Sequence, residues 1–152
     1  GVIDRLAREG DPQKIAFTRP YLDKSDFDFS FSGIKTAVRH YVDKHPSNQP
    51  GQIADIAAGF QAAVVEVLTY KLIHAAQVKH CEHIAVVGGV AANSGLRSIV
   101  RRDAKRPGLQ AHIPSVELCG DNAAMVAAAG FHCLTAGMQS RLDDDVFSRN
   151  KG

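Results

Sequence analysis

"VVGGVAANSGLR", residues 86–97, decides how this chain is layered. It continues "HIAVVGG", residues 83–89, a short apolar run with β-branched residues that closes on two glycines. Length and composition predict a buried strand there. After the glycines come small residues, then Asn93 and Ser94, then an amphipathic segment from Ser94 to Lys105 that predicts a helix. A strand can turn into a helix with one glycine. Gly88 and Gly89 together leave backbone without Cβ atoms, so that a ligand can come close and helix-start amides can face an anion. A tight turn with Asn93 or Ser94 as N-cap accounts for the same letters. The pattern is neither G-x-G-x-x-G nor a phosphate loop ending in Gly-Lys-Ser/Thr.

Working outward, the segments upstream alternate in type. Residues 2–9 read as a short helix ended by Gly10, with Asp11-Pro12 as a turn. Asp4, near that helix start, reads from spacing alone as a solvated charge. "FDFSFS", residues 27–32, alternates Phe27, Phe29 and Phe31 with polar residues, as a half-buried strand does. Gly33 follows, and then "IKTAVRHYVDKH" with Ile34, Ala37, Val38 and Tyr41 as an apolar stripe. "PSNQPG", residues 46–51, is a loop. The most regular helix comes next. Ile53, Ile56, Ala57, Phe60, Val64, Val67, Leu68 and Leu72 recur at helical spacing, with Gly59 as the weak point.

Downstream, "PGL" turns, "QAHIP" is a weak strand and "SVELCGDN" is a loop. "NAAMVAAAGFHCLTAG" is an alanine-rich helix closed by Gly137, its small residues suited to close packing. Asp121 stands at the start of this helix, where it reads as an N-cap or as a carboxylate free for a ligand. Strands alternating with helices place the chain among α/β layered domains.

Composition narrows the function classes. Of 152 residues, 45% are hydrophobic and 22% charged, an ordinary globular balance. The apolar stretch from Ile53 to Ala76 is broken by Gln61, Glu66, Lys71 and His74, short of about 18 unbroken apolar residues, so no membrane partner is expected. The opening "GVIDRLAREGD" has no signal-peptide pattern. Net charge is +2, and "RSIVRRDAKR" concentrates Arg97, Arg101, Arg102, Lys105 and Arg106. A solvated helix face and an RNA-backbone contact both fit that run. Cys81, Cys119 and Cys133 are few and widely spaced, which argues against a disulfide framework and fits a reducing cytoplasm. "HCEH", residues 80–83, lacks a second cluster at zinc-site spacing and reads as a linker. The chain starts without Met in what reads as mid-domain helix, so a C-terminal part of a longer protein is expected.

"FDFSFSGIKTAV", "VVGGVAANSGLR" and "CGDNAAMVAAAG", in this order, resemble the C-terminal part of the tRNA threonylcarbamoyladenosine transferases, a family long called glycoproteases or O-sialoglycoprotein endopeptidases. The opening "GVIDRLAREGDPQKIAFTRP" resembles it too, so the likeness runs from Gly1 to Met138. The resemblance implies an α/β, actin-like or sugar-kinase-like fold of two RNase-H-like lobes. Residues 1–138 would form the second lobe, residues 139–152 a polar tail, and the first lobe would be absent. It implies transfer of a threonylcarbamoyl group from its adenylate to the exocyclic amine of the tRNA adenosine that follows the anticodon.

On this resemblance Asn93 falls on a substrate-binding Asn. Gly88 and Gly89 lie against the nucleotide, and Asp4 falls on a substrate-contacting position. Asp121 falls on a metal-ligand Asp, with iron or zinc as the metal. Gly1 is not assigned to the family's glycine before the opening helix. In bacteria the implied partners are an inactive paralogue and a small ATPase, besides tRNA and the adenylate, all in the cytoplasm. The family's H-x-x-x-H pair has no counterpart among the seven histidines, so this chain by itself is not expected to be catalytic. Two readings compete: the nucleotide-binding lobe of a sugar-kinase-like ATPase, and an interaction module that docks through the helix at 53–79. The protease name finds no Ser-His-Asp or H-E-x-x-H arrangement.

Overall fold

Helix positions follow the periodicities, and the reach of each element is set by its neighbours. The computed structural model describes residues 1–20, 26–46 and 49–141. Its two compact units are Gly1–Gly120 and Asp121–Gly152. The first holds α1 (Val2–Ala7), α2 (Ser32–Lys44), α3 (Pro50–Val78), β1 (His83–Ala85), α4 (Ser94–Ala104) and β2 (Gln110–His112); the second holds α5 (Ala123–Thr135). Most of the polar tail expected at 139–152 lies outside the described residues.

β1 and β2 pair in parallel, with Ile84 opposite Ala111. The expected seven-residue buried strand shrinks to three residues, of which only Ile84 is buried. The ladder ends where β2 ends: Val86 N–H still donates to the His112 carbonyl at 3.0 Å, and Val87 already faces solvent. The strand expected at 27–32 does not form. Phe29 and Phe31 pack on each other at 5.3 Å, and α2 begins at Ser32, so the alternating phenylalanines form an irregular apolar corner without a ladder partner.

α3 is the spine and packs against α1, α2, α4 and β1. Its buried residues are mostly small: Ala54, Ala57, Ala58, Gly59, Ala63 and Ala76 with Val65 and Val67. Ile53, first of the expected stripe, is exposed. The reason is close backbone approach. A Cβ on Gly59 would collide with the Ile15 carbonyl, and one on Gly10 with the Ala54 carbonyl. Gly59 is therefore a docking point rather than a weak point, and the segment after α1 lies directly on α3.

Two clusters form around this spine. One joins Val65, Ile84, Leu96 and Val100, and the other joins Ile15, Phe17, Ile34 and Ala63. Each large side chain buried this way contributes about 1.5–3 kcal/mol. By length and composition α3 is also apolar enough to cross a membrane, the one such helix among the described residues. Yet it buries Lys71, whose ammonium donates to Asp26, and serves as a core helix.

α3 and α5 end alike. After α3, His80 takes a positive φ of 53° and Cys81 N–H donates to the Ala76 carbonyl at 2.8 Å. After α5, Gly137 takes φ 74° and Met138 N–H donates to the Cys133 carbonyl at 2.9 Å. Both are left-handed caps closed by a six-residue hydrogen bond. "HCEH" thus terminates a helix. Among the described residues no three His, Cys, Asp or Glu side chains converge, and all three cysteines are free thiols.

Candidate functional site

The turn after β1 is built by backbone conformation. Gly88 sits at φ 82°, ψ 178°, which a side chain would strain. Residues Gly89–Ala92 then form one turn of 3₁₀ helix before α4 starts. A Cβ on Gly88 or Gly89 would meet nothing within 4 Å, so their outer side is open. Asn93 is extended, and its Oδ1 accepts from Leu96 N–H at 2.9 Å, which makes it the N-cap of α4. Its Nδ2 donates to Gln61 Oε1 of α3 at 2.6 Å. Gly95 makes room for this pair, because a Cβ there would come within 2.8 Å of Gln61 Nε2.

Asp4 is not the solvated charge expected from spacing. It is buried, 8% exposed, with Oδ1 accepting from Ser94 Oγ at 2.7 Å and Ser94 N–H at 3.2 Å. Its Oδ2 pairs with Arg8 at 3.0 Å. The docking of Gly10 on α3 swings α1 against the start of α4 and produces this contact. Burial pushes the Asp4 carboxyl up, but the bonds from Ser94 and Arg8 together outweigh it and hold the group below its ordinary value.

Asp4, Gly89 and Asn93 line one hollow of about 450 Å³, together with Gly1 and Gln61, and Lys35 of α2 sits at its rim. The volume lies within the usual range of small-molecule sites. Gly88 does not line it but sets the turn that does. Two contributors had no role assigned from the sequence: Lys35 stands inside a quoted motif, and Gln61 is a polar break in the apolar run of α3. Arg97 donates to the Ala91 carbonyl at 2.9 Å and the Pro114 carbonyl at 2.8 Å. It thereby ties the glycine turn to the segment after β2, and its guanidinium is a structural clamp instead of a solvated charge.

Asp121 opens the second unit. The expected cap role falls to its neighbour: Asn122 is extended and its Oδ1 accepts from Met125 N–H at 2.8 Å. A cap must stand three residues before the amide it satisfies, and the helix begins at Ala123. Asp121 is left with its carboxylate outside the helix start.

A family model described as tRNA N6-adenosine threonylcarbamoyltransferase matches residues 1–128. Curated proteins of that name are similar along nearly the whole chain. The one from Desulforapulum autotrophicum is 47% identical over 150 residues, 99% of this chain and 45% of its own length. One from Geobacter sp. strain M21 is 49% identical over 144 residues, covering 95% of this chain and 42% of the relative. One from Geotalea uraniireducens is 46% identical over 146 residues, with 95% and 43% covered. The chain spans less than half the length of these relatives.

Proposed function

The chain belongs to the tRNA N6-adenosine threonylcarbamoyltransferase family, and on that premise we propose that it carries one wall of that enzyme's substrate site. In this reading the α/β unit is part of the second RNase-H-like lobe of an actin-like fold, acting in the cytoplasm. The reaction is attack of the adenosine N6 amine on the carbamoyl carbon of threonylcarbamoyl-adenylate. The new C–N bond replaces the C–O bond to the phosphate, adenylate leaves, and the amine loses a proton.

The observation that carries the reading is the convergence of Asp4, Gly89 and Asn93 on one hollow in a chain matched by the family over residues 1–128. Asn93 gives one lone pair to Leu96 N–H and one amide hydrogen to Gln61. One acceptor site and one donor hydrogen remain for a nucleotide. The bare backbone at Gly89 lets the ligand approach, with Gly88 setting the turn, and Lys35 offers a cation to its phosphate or carboxylate. Asp4 positions this wall: it anchors Ser94, and so the start of α4.

Asp121 is proposed as one ligand of a divalent iron or zinc ion. Among the described residues no other donors converge on it, and a single carboxylate does not fit such an ion, where three or more protein ligands are usual. No step here runs through it, and the further ligands belong to residues outside this sequence. The paralogue and small ATPase of bacterial systems are proposed partners of the longer protein.

The test joins this chain to the segment that precedes the matched region in the Desulforapulum autotrophicum relative. Labelled threonine should pass from the adenylate to tRNA with the chimaera and not with the 152-residue chain alone. Turnover by the chain alone, or an inactive chimaera beside an active relative, overturns the reading.

A further inference from the structure

The basic run on α4 is left over when the hollow has been assigned. Between Ser94 and Arg106 the sequence places five cations against a single carboxylate, Asp103, an excess larger than that of the whole chain. The structure sorts these charges. Arg97 is spent on backbone carbonyls. Arg102 is engaged with Asp103 at 2.7 and 3.0 Å. Arg101 and Lys105 are exposed and make no ion pair among the described residues.

These two lie on one stripe with Ser94 and Ser98, at spacings of four, three and four residues, along about 16 Å of helix. The stripe borders a shallow groove of about 510 Å³ lined by Ser94, Arg97, Ser98, Arg101, Arg102 and Lys105, without a carboxylate. Arg8 stands at its upper end, 3.3 Å from Ser94 Oγ. The helix dipole accounts for cations in the last turn, about 0.3–1 kcal/mol each. It does not account for the exclusion of acids from the groove or for the hydroxyls interleaved with the cations. Cations and hydroxyls at successive turns fit the spaced phosphates of a nucleic-acid backbone.

We propose that the outer stripe of α4, formed by Ser98, Arg101 and Lys105, holds the phosphate backbone of the tRNA; Ser94 and Arg8 at its upper end are bound to Asp4. This rests on the functional reading above. It adds a docking face separate from the hollow.

The test uses the 152-residue chain and a fluorescent tRNA, with anisotropy read across 50–200 mM salt. Arg101→Gln with Lys105→Gln should lower the slope of log affinity against log salt by about two and weaken binding about 30-fold near 0.1 M salt. The loss should be equal for all tRNA sequences. Arg39→Gln with Lys44→Gln, on α2, should leave both quantities unchanged, and melting of both variants should match the parent. Unchanged tRNA affinity in the α4 variant overturns the proposal, as does equal loss in the α2 control. Loss of binding to phosphatidylserine vesicles with tRNA binding intact assigns the stripe to lipid and also overturns it. A chimaera that still transfers threonine while the α4 variant binds tRNA normally keeps the functional reading and removes only this one.

Discussion

Two helices of this molecule begin with an asparagine and are held in different ways. At α4, Asn93 accepts from Leu96 N–H; at α5, Asn122 accepts from Met125 N–H, at nearly the same distance. The second helical position is Gly95 in one and Ala124 in the other. The glycine is there because Gln61 crowds it from α3. At α4 the cap Asn93 is joined to Gln61, 32 positions away, and the adjacent Ser94 to Asp4, 90 positions away. The same local rule starts both helices, and at α4 it is built into a tertiary lock. A cap that also faces a ligand hollow has to be fixed from outside its own helix.

Asp4→Ala should cost most. It strands the Ser94 hydroxyl, the Ser94 amide and Arg8, and a loss of about 1–3 kcal/mol is expected by denaturant unfolding. Acid should mimic it in part. The Asp4 carboxyl is held low in the fold, so its contribution is present above the ordinary carboxylate value of 3.8 and disappears as pH falls through the lower folded value. Asp4→Asn should therefore flatten the stability profile at its acid end. An unchanged profile would show that the lock at α4 is not electrostatic.

Asn93→Ala comes next, at about 1–2 kcal/mol, since the cap goes and Gln61 loses its donor. Asn122→Ala should cost about 0.5–1 kcal/mol through loss of its cap bond. Equal losses at the two sites, measured in parallel melts, would remove the distinction between a lock and a cap. The smallest effect on stability belongs to Asp121→Asn. With Asn122 as the cap, the change should stay within about 0.5 kcal/mol. In the longer chimaera it should still abolish transfer if Asp121 is a ligand, and full activity would remove Asp121 from the site.

The helices were legible because residues that share a face recur every three to four positions, a relation contained in a short stretch of sequence. So were the glycine turn, a cap at Asn93 or Ser94, which the structure assigns to Asn93, and the family itself. The strand at 27–32 was misread for the same reason. Alternating phenylalanines satisfy the period of a strand, but a ladder needs a neighbour that the period does not name. Gly59 was misread because its lack of a Cβ costs helix propensity locally, while the Ile15 carbonyl that needs the space is far along the chain.

The sequence by itself determined the order of helices and turns, the glycine that closes α5, and membership of the family. Those follow from backbone conformations and side-chain bonds that span a few residues. Tertiary structure alone decided that Asp4 is buried, that Gln61 and Gly95 share the Asn93 corner, that Arg97 is a clamp and that Arg101 and Lys105 make no ion pair among the described residues. Each of these depends on how α1, α3 and α4 dock. Docking is set by where two backbones can approach within van der Waals distance, a property of pairs of segments far apart in the chain.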